Sequence, residues 1–263
     1  MSIPVIAVFG GSRRLNKTIL ETAERIGYEI AQRRCVALTG GSGAGTATVR
    51  DQAIEGAKRS VRDGSFGAWV GVARSPDVRQ PEPDALGLRI YPGYEHKRNY
   101  VEARLCDAAI ALPGREGTAS EVAFCLALGR PVVLLGPAWK DGFPLAKPNR
   151  RRTLTALRKQ AQTAISRKEI TPSPLDGLIA SALDCLVADR DLGAWAYEPL
   201  PGADDASAVV GLVLRMLQST DRREGPPDLP EYQDTAAAYA AWIVGAQQRA
   251  DRASIAQRDD GGR

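Results

Sequence analysis

Residues 93–135 read GYEHKRNYVEARLCDAAIALPGREGTASEVAFCLALGRPVVLL, and this stretch decides the fold. At its centre the apolar run Ala108-Ala109-Ile110-Ala111-Leu112 is stopped by Pro113-Gly114-Arg115-Glu116-Gly117-Thr118. A helical pattern follows, then a second apolar run, Pro131-Val132-Val133-Leu134-Leu135. Strand, polar glycine loop, helix and strand make a βαβ unit, and the loop stands where such units hold ligands.

Upstream the same grammar repeats. Ile3 to Phe9 is apolar and β-branched and ends at Gly10-Gly11-Ser12, as a buried parallel strand does. Apolar residues recur at helical spacing from Lys17 to Arg33, giving a crossover helix, and a second strand is expected over Arg34 to Leu38. Thr39-Gly40-Gly41-Ser42-Gly43-Ala44-Gly45-Thr46 then leads into a helix from about Ala47 to Val61. Further strands are expected over Phe66 to Val72 and Leu86 to Tyr91, before a helix through Val101 and Leu105. Strands alternating with helices predict an α/β fold, a Rossmann-like parallel sheet with helices on both faces.

The chain is 263 residues long, 44% hydrophobic and 25% charged, which suits a globular protein with a real core. The expected organisation is one domain over 1–218 and an appendage over 219–263. The domain divides into a core at 1–137, a basic, helical insertion at about 138–206 and a closing helix at 207–217. The appendage holds a linker, an Ala-rich helix from Asp234 to Arg249 and a disordered tail.

The net charge of +4 favours anionic ligands mildly and falls short of a nucleic-acid-binding footprint. The basic stretch Lys147 to Lys168 lacks the interleaved aromatics that stack on bases, so it reads as a solvated face. Four cysteines lie far apart without a CxxC pair, and there is a single histidine, so neither a zinc site nor a disulfide framework is expected. Reduced thiols, no membrane-spanning run and no signal peptide point to the cytoplasm.

The chemistry gathers at the carboxyl ends of the proposed strands, where open α/β sheets keep their ligand crevice. A glycine loop that leaves a strand and opens a helix brings backbone N–H groups to a phosphate, and the helix dipole favours the anion. The same glycines can merely permit a tight turn, but their density and strand–helix setting favour phosphate. The loop is not a Walker A loop, because no Gly-Lys-Ser/Thr follows. A second anion site is expected at the helix opened by Gly117-Thr118, with Glu121 in its first turn. There Glu121 can stabilise the helix end, hold a ribose hydroxyl or act as an acid/base group. Lys97 and Arg98 can supply positive charge to a phosphate, and His96 reads as a loop or helix-start residue.

These motifs resemble those of the LOG-like family, once labelled lysine decarboxylases, within the SLOG group of Rossmann-like nucleotide-binding domains. The family pairs Arg-Lys with a later Pro-Gly-Gly-x-Gly-Thr-x-x-Glu. Here those become Arg98-Asn99 and Pro113-Gly114-Arg115-Glu116-Gly117-Thr118-Ala119-Ser120-Glu121, with Asn99 for the lysine and Arg115 for the second glycine. Cys106-Asp107-Ala108-Ala109-Ile110-Ala111-Leu112 resembles the family's S-D-A-x-I-A-L run, and the loops at Gly10-Gly11-Ser12 and Gly40-Gly41-Ser42-Gly43 match its phosphate-binding positions.

The resemblance implies a phosphoribohydrolase, like the family's cytokinin riboside monophosphate enzymes. Such an enzyme cleaves the N-glycosidic bond of a nucleoside monophosphate to release base and ribose 5-phosphate. Arg98 and Glu121 would be catalytic. Gly10, Gly11, Ser12, Gly40, Gly41, Ser42, Gly43, Gly114, Arg115, Glu116, Gly117 and Thr118 would bind phosphate or nucleotide. No metal and no required cofactor are implied. The alternative from the same fold is a non-catalytic carrier or sensor binding a nucleotide or a molybdopterin-type ligand, as the molybdenum-cofactor carrier proteins do. A homo-oligomer is expected by the same resemblance.

Overall fold

A computed structural model describes residues 3–11, 15–40, 48–65, 67–72, 87–90, 97–136, 195–198 and 205–219. The helix expected at 234–249, the basic stretch at 147–168 and the tail lie outside the described residues, as do Ser12, Gly41, Ser42, Gly43 and His96. No described helix is long and apolar enough to cross a membrane.

Among the described residues seven strands form one sheet. They are β1 (Val5–Phe9), β2 (Val36–Thr39), β3 (Ala68–Val72), β4 (Gly87–Ile90), β5 (Ala108–Ala111), β6 (Val132–Leu135) and β7 (Trp195–Glu198). Their spatial order is β4-β3-β2-β1-β5-β6-β7, and every neighbouring pair is parallel. The helices are α1 (Lys17–Gln32), α2 (Val49–Arg62), α3 (Lys97–Leu105), α4 (Glu116–Ala127) and α5 (Ala206–Ser219).

Both faces of the sheet are covered, which is why its strands read as unbroken apolar runs rather than alternating ones. Val5, Ala7 and Phe9 of β1 share one core with Tyr100 and Val101 of α3 and Val122 and Phe124 of α4. Ile6 and Val8, pointing the other way, share a second core with Ile26 of α1, Ala53 of α2 and Val210 of α5. Helix α5 closes this second layer, held to α1 by Arg33 Nη2, which donates to the carbonyl of Ser207 at 2.8 Å and to its hydroxyl at 2.7 Å.

Helix ends obey local chemistry. Asn16 caps α1 by accepting from the Ile19 amide at 2.9 Å, and Thr48 with Asp51 forms a reciprocal capping box on α2. The strand expected to begin at Arg34 begins at Val36 instead, because Arg34 takes a left-handed conformation (φ 59°) that ends the turn out of α1. Strand β7 falls inside the segment expected to be a basic, helical insertion, so four residues of that segment belong to the sheet.

Candidate functional site at the crossover of the sheet

The chain enters the sheet in the middle at β1, builds outward to β4, and returns to place β5 on the other side of β1. Connections therefore diverge between β1 and β5, and the loops after these two strands stand where open α/β sheets keep their ligand crevice. Both loops are the glycine loops singled out in the sequence.

They are held edge to edge. The Gly11 amide donates to the Pro113 carbonyl at 3.0 Å, continuing the ladder in which Leu112 N–H donates to Phe9 at 2.9 Å. The Val49 amide, at the start of α2, reaches the Gly11 carbonyl at 3.4 Å. A side chain at Gly10 would begin 2.7 Å from Val49 Cγ1, and one at Gly114 would collide with the side chain of Thr118. Close approach of the Val49 and Thr118 side chains, at the starts of α2 and α4, and not turn geometry alone, favours these two glycines.

Arg115 sits differently. It is the residue before α4, its φ of −119° is extended backbone open to any residue, and its side chain is exposed and makes no cap hydrogen bond. A large cation in the family's glycine position thus costs no backbone strain. Because α4 begins at Glu116, Glu121 stands in its second turn rather than its first, a correction to the sequence reading. A carboxylate there is too deep to serve the helix end, since the dipole's effect falls off within the first turn.

Glu121 serves a different partner. Its Oε1 lies 3.8 Å from Arg98 Nη2, and both side chains are 4% exposed. The two residues matched to the family's pair are therefore brought together beneath the loops. A third residue, which the sequence reading missed, completes the cluster. Glu102, one helical turn after Arg98 on α3, is fully buried, with Oε1 2.9 Å from Arg98 Nε. Arg50 of α2 is also absent from the sequence reading. A side chain at Gly40 would begin 2.9 Å from both Arg50 Cδ and Glu102 Oε1, so the end of β2 lies between the two.

Burial pushes the Glu102 carboxyl from 4.5 up to about 8, and the charge of Glu121 pushes the same way, while Arg98 and Arg50 oppose it. Among the described residues Glu102 Oε2 and Arg98 Nη1 are buried without a hydrogen-bond partner. Orphaned buried groups of this kind are characteristic of ligand sites. The signal for Glu102 was present in the sequence as the Arg98/Glu102 i,i+4 spacing, but that spacing ordinarily marks an exposed helix pair.

Asn99 links this cluster to the start of α4, its Oδ1 accepting from Arg98 Nη2 at 3.5 Å. Its Nδ2 donates to Ser120 Oγ at 2.6 Å and reaches the Gly117 carbonyl at 3.4 Å, tying α3 to the start of α4. Tyr100 packs edge-on against Phe124 with ring centroids 5.8 Å apart, and Cys106 meets Cys125 at 3.7 Å between the sulfurs, so the two helices carrying the cluster are braced as one unit. Gly10, Gly11, Gly40, Gly114, Gly117 and Thr118 all stand at the carboxyl edge of the sheet or on the first turn of α4. The backbone of Glu116 opens that helix. The described residues contain no group of three His, Cys, Asp or Glu that could hold a metal.

Comparison with known proteins agrees with this architecture. The chain is similar in structure to the molybdenum cofactor binding protein of the phototrophic bacterium Rippkaea orientalis, at 22% identity over 81% of this chain and 99% of that one, TM-score 0.50. It is likewise similar to the Moco carrier protein of Chlamydomonas reinhardtii, at 24% identity over 81% of this chain and 98% of that one, TM-score 0.50. At such identities the likeness is one of fold. None of the curated proteins matches. The model of the SLOG cluster4 family matches residues 3–169, more than half the chain and all of the crevice, and the chain belongs to that family.

Proposed function

We propose that the protein binds a phosphorylated heterocyclic small molecule, a nucleotide or a molybdopterin-type ligand, in the β1/β5 crevice and holds it intact as a carrier or sensor. The observation that carries this reading is the buried Arg98, whose Nη1 lacks a hydrogen-bond partner among the described residues beneath loops kept free of side chains at Gly10, Gly40 and Gly114. Backbone amides and the start of α4 favour an anion at the same edge. A molybdopterin-type ligand fits at its phosphate end, through these amides and Arg98. The names of the two structural neighbours, one a molybdenum cofactor binding protein and one a Moco carrier protein, support that ligand class.

Two features favour holding over cleaving. Asn99 stands where the catalytic family keeps a lysine, and its amide is engaged by Ser120 and Gly117. Glu121 lies against Arg98 rather than standing free. A second reading, N-glycosidic hydrolysis of nucleoside monophosphates, is favoured by the pairing of Arg98 with Glu121, the residues matched to the catalytic pair.

Mass spectrometry of ligand released from the purified protein, together with incubation with the common nucleoside monophosphates, separates the two. A phosphorylated ligand and no free base are expected. Release of free base would replace the carrier reading with the hydrolase. A protein that carries no ligand and binds no phosphorylated compound would end both.

A further inference from the structure

We propose that Glu102 sets the charge of the ligand the crevice accepts. A phosphate dianion enters only with Glu102 in its protonated, neutral form, so wherever Glu102 is ionised in the free protein each dianion bound brings in one proton. The inference deepens the phosphate-site reading above and rests on it.

Consider the charges that face Glu102 from each packed element. Arg98 comes from its own helix, Glu121 from α4 and Arg50 from α2. With both carboxylates ionised, two guanidinium groups and two carboxylates leave the cluster no net charge to attract a dianion. Loss of the Glu102 charge leaves one positive charge, on the side where Arg98 Nη1 has no hydrogen-bond partner among the described residues. Water cannot soften the repulsion between Glu102 and an incoming phosphate, because the carboxyl is 0% exposed.

The second oxygen points to the same conclusion. Oε1 is against Arg98 Nε, whereas Oε2 is buried with no acceptor or donor among the described residues. An ionised carboxylate leaves such an oxygen uncompensated, while a protonated one has a hydroxyl to give. The raised carboxyl, near 8, means the proton is exchanged within an accessible pH range. No covalent bond changes. The proton comes from solvent, resides on Glu102 while the dianion is bound, and returns to solvent on release.

Calorimetric titration of the full chain with AMP, and with inorganic phosphate as a second probe, tests this in buffers of different ionisation heat. A phosphomonoester has its second pKa near 6, so near pH 9 AMP is already a dianion and takes up no proton of its own. The wild type should take up close to one proton per AMP near pH 9 and few near pH 7. Its affinity should fall about tenfold per pH unit above about pH 8. Glu102→Gln should bind near pH 9 at least as tightly as the wild type does near pH 7, with no uptake. The wild-type measurement needs no variant to fold.

AMP binding without proton uptake and without pH dependence overturns this inference and leaves the phosphate site standing. Uptake that persists in Glu102→Gln does the same. Absence of binding by either probe at both pH values overturns the phosphate site, and this inference with it.

Discussion

Arg98 Nε lies 2.9 Å from Glu102 Oε1, one turn along α3, and neither side chain is more than 4% exposed. A pair at this spacing on a free helix contributes a few tenths of a kcal/mol. Here the packing of α3 beneath the loops removes water from both groups, and Glu121 adds a second carboxylate to the same guanidinium. Removing Arg98 leaves acidic groups buried without their counter-charge. Arg98→Ala should therefore cost about 3–5 kcal/mol, read from urea unfolding near neutral pH. Glu102→Gln preserves shape and removes the cost of keeping protonated an acid that the unfolded chain ionises, so near neutral pH it should not destabilise the protein and should stabilise it by up to about 3 kcal/mol. Equal losses in the two variants would show that the cluster is not electrostatically organised as described.

Stability should also depend on pH through Glu102. Its carboxyl titrates near 8 in the folded protein against 4.5 when unperturbed. Between those values the folded state holds a proton that the unfolded state has lost, so unfolding releases a proton and this group's contribution falls as pH rises. The contribution is complete below about 4.5 and gone above about 8. Other acids titrate as well, and subtracting them requires the variant. The stability of Glu102→Gln minus that of the wild type should grow steadily across this window, by denaturant titration at a series of pH values. A flat difference would mean that Glu102 is ionised in the folded protein.

The fold was largely legible because a parallel sheet buried on both faces writes itself as apolar, β-branched runs stopped by glycine loops. Strands β1, β5 and β6 are of that kind, and their expected positions agree with the structure to within two residues. The start of α4 was misplaced because Gly117-Thr118 resembles a capping site, whereas the helix begins after Arg115 with no side-chain cap. Strand β7 was missed for a different reason. Trp195-Ala196-Tyr197-Glu198 is four residues long and carries no flanking repeat, and only pairing with β6 defines it. Within the site, Arg98 and Glu121 were visible as a motif. Glu102 and Arg50 were not, since their importance arises from burial and from the position of Gly40, which are tertiary facts.

Helices α1 and α2 cross with backbone against backbone. A side chain at Gly27 would meet the Ala53 carbonyl, and one at Gly56 would meet the Glu24 carbonyl. Neither obstacle is a flexible side chain, so the helices must separate to admit a methyl group. Gly27→Ala and Gly56→Ala should each cost about 1–3 kcal/mol despite alanine's better helix propensity. Gly117→Ala is the control. A side chain there meets nothing within 4 Å, so this variant should be as stable as the wild type or slightly more so. Thermal unfolding of the three variants side by side decides it.

Asn99 and Ser120 should behave as one unit. The 2.6 Å hydrogen bond between them joins α3 to α4, and the Ser120 hydroxyl passes the connection on to the Gly117 carbonyl at 2.7 Å. Asn99→Ala and Ser120→Ala should each cost about 1 kcal/mol. The double variant should cost little more than either alone, giving a coupling energy of at least about 0.5 kcal/mol. Additive losses in the cycle would assign the two residues independent roles.

Arg115 separates stability from binding most cleanly. Its backbone is extended, its side chain is exposed and it forms no cap hydrogen bond, so folding places no demand on it. Arg115→Gly restores the family's glycine and should shift stability by no more than about 1 kcal/mol, the conformational entropy of the added glycine being the main term. Binding is another matter. A cation at the start of α4 attracts an anion that approaches the helix end, and its effect is screened by salt. AMP affinity should therefore drop in Arg115→Gly at low ionic strength, and the salt dependence of binding should become shallower. Unchanged affinity with unchanged salt dependence would remove Arg115 from the ligand site and leave anion recognition to Arg98 and the loop amides.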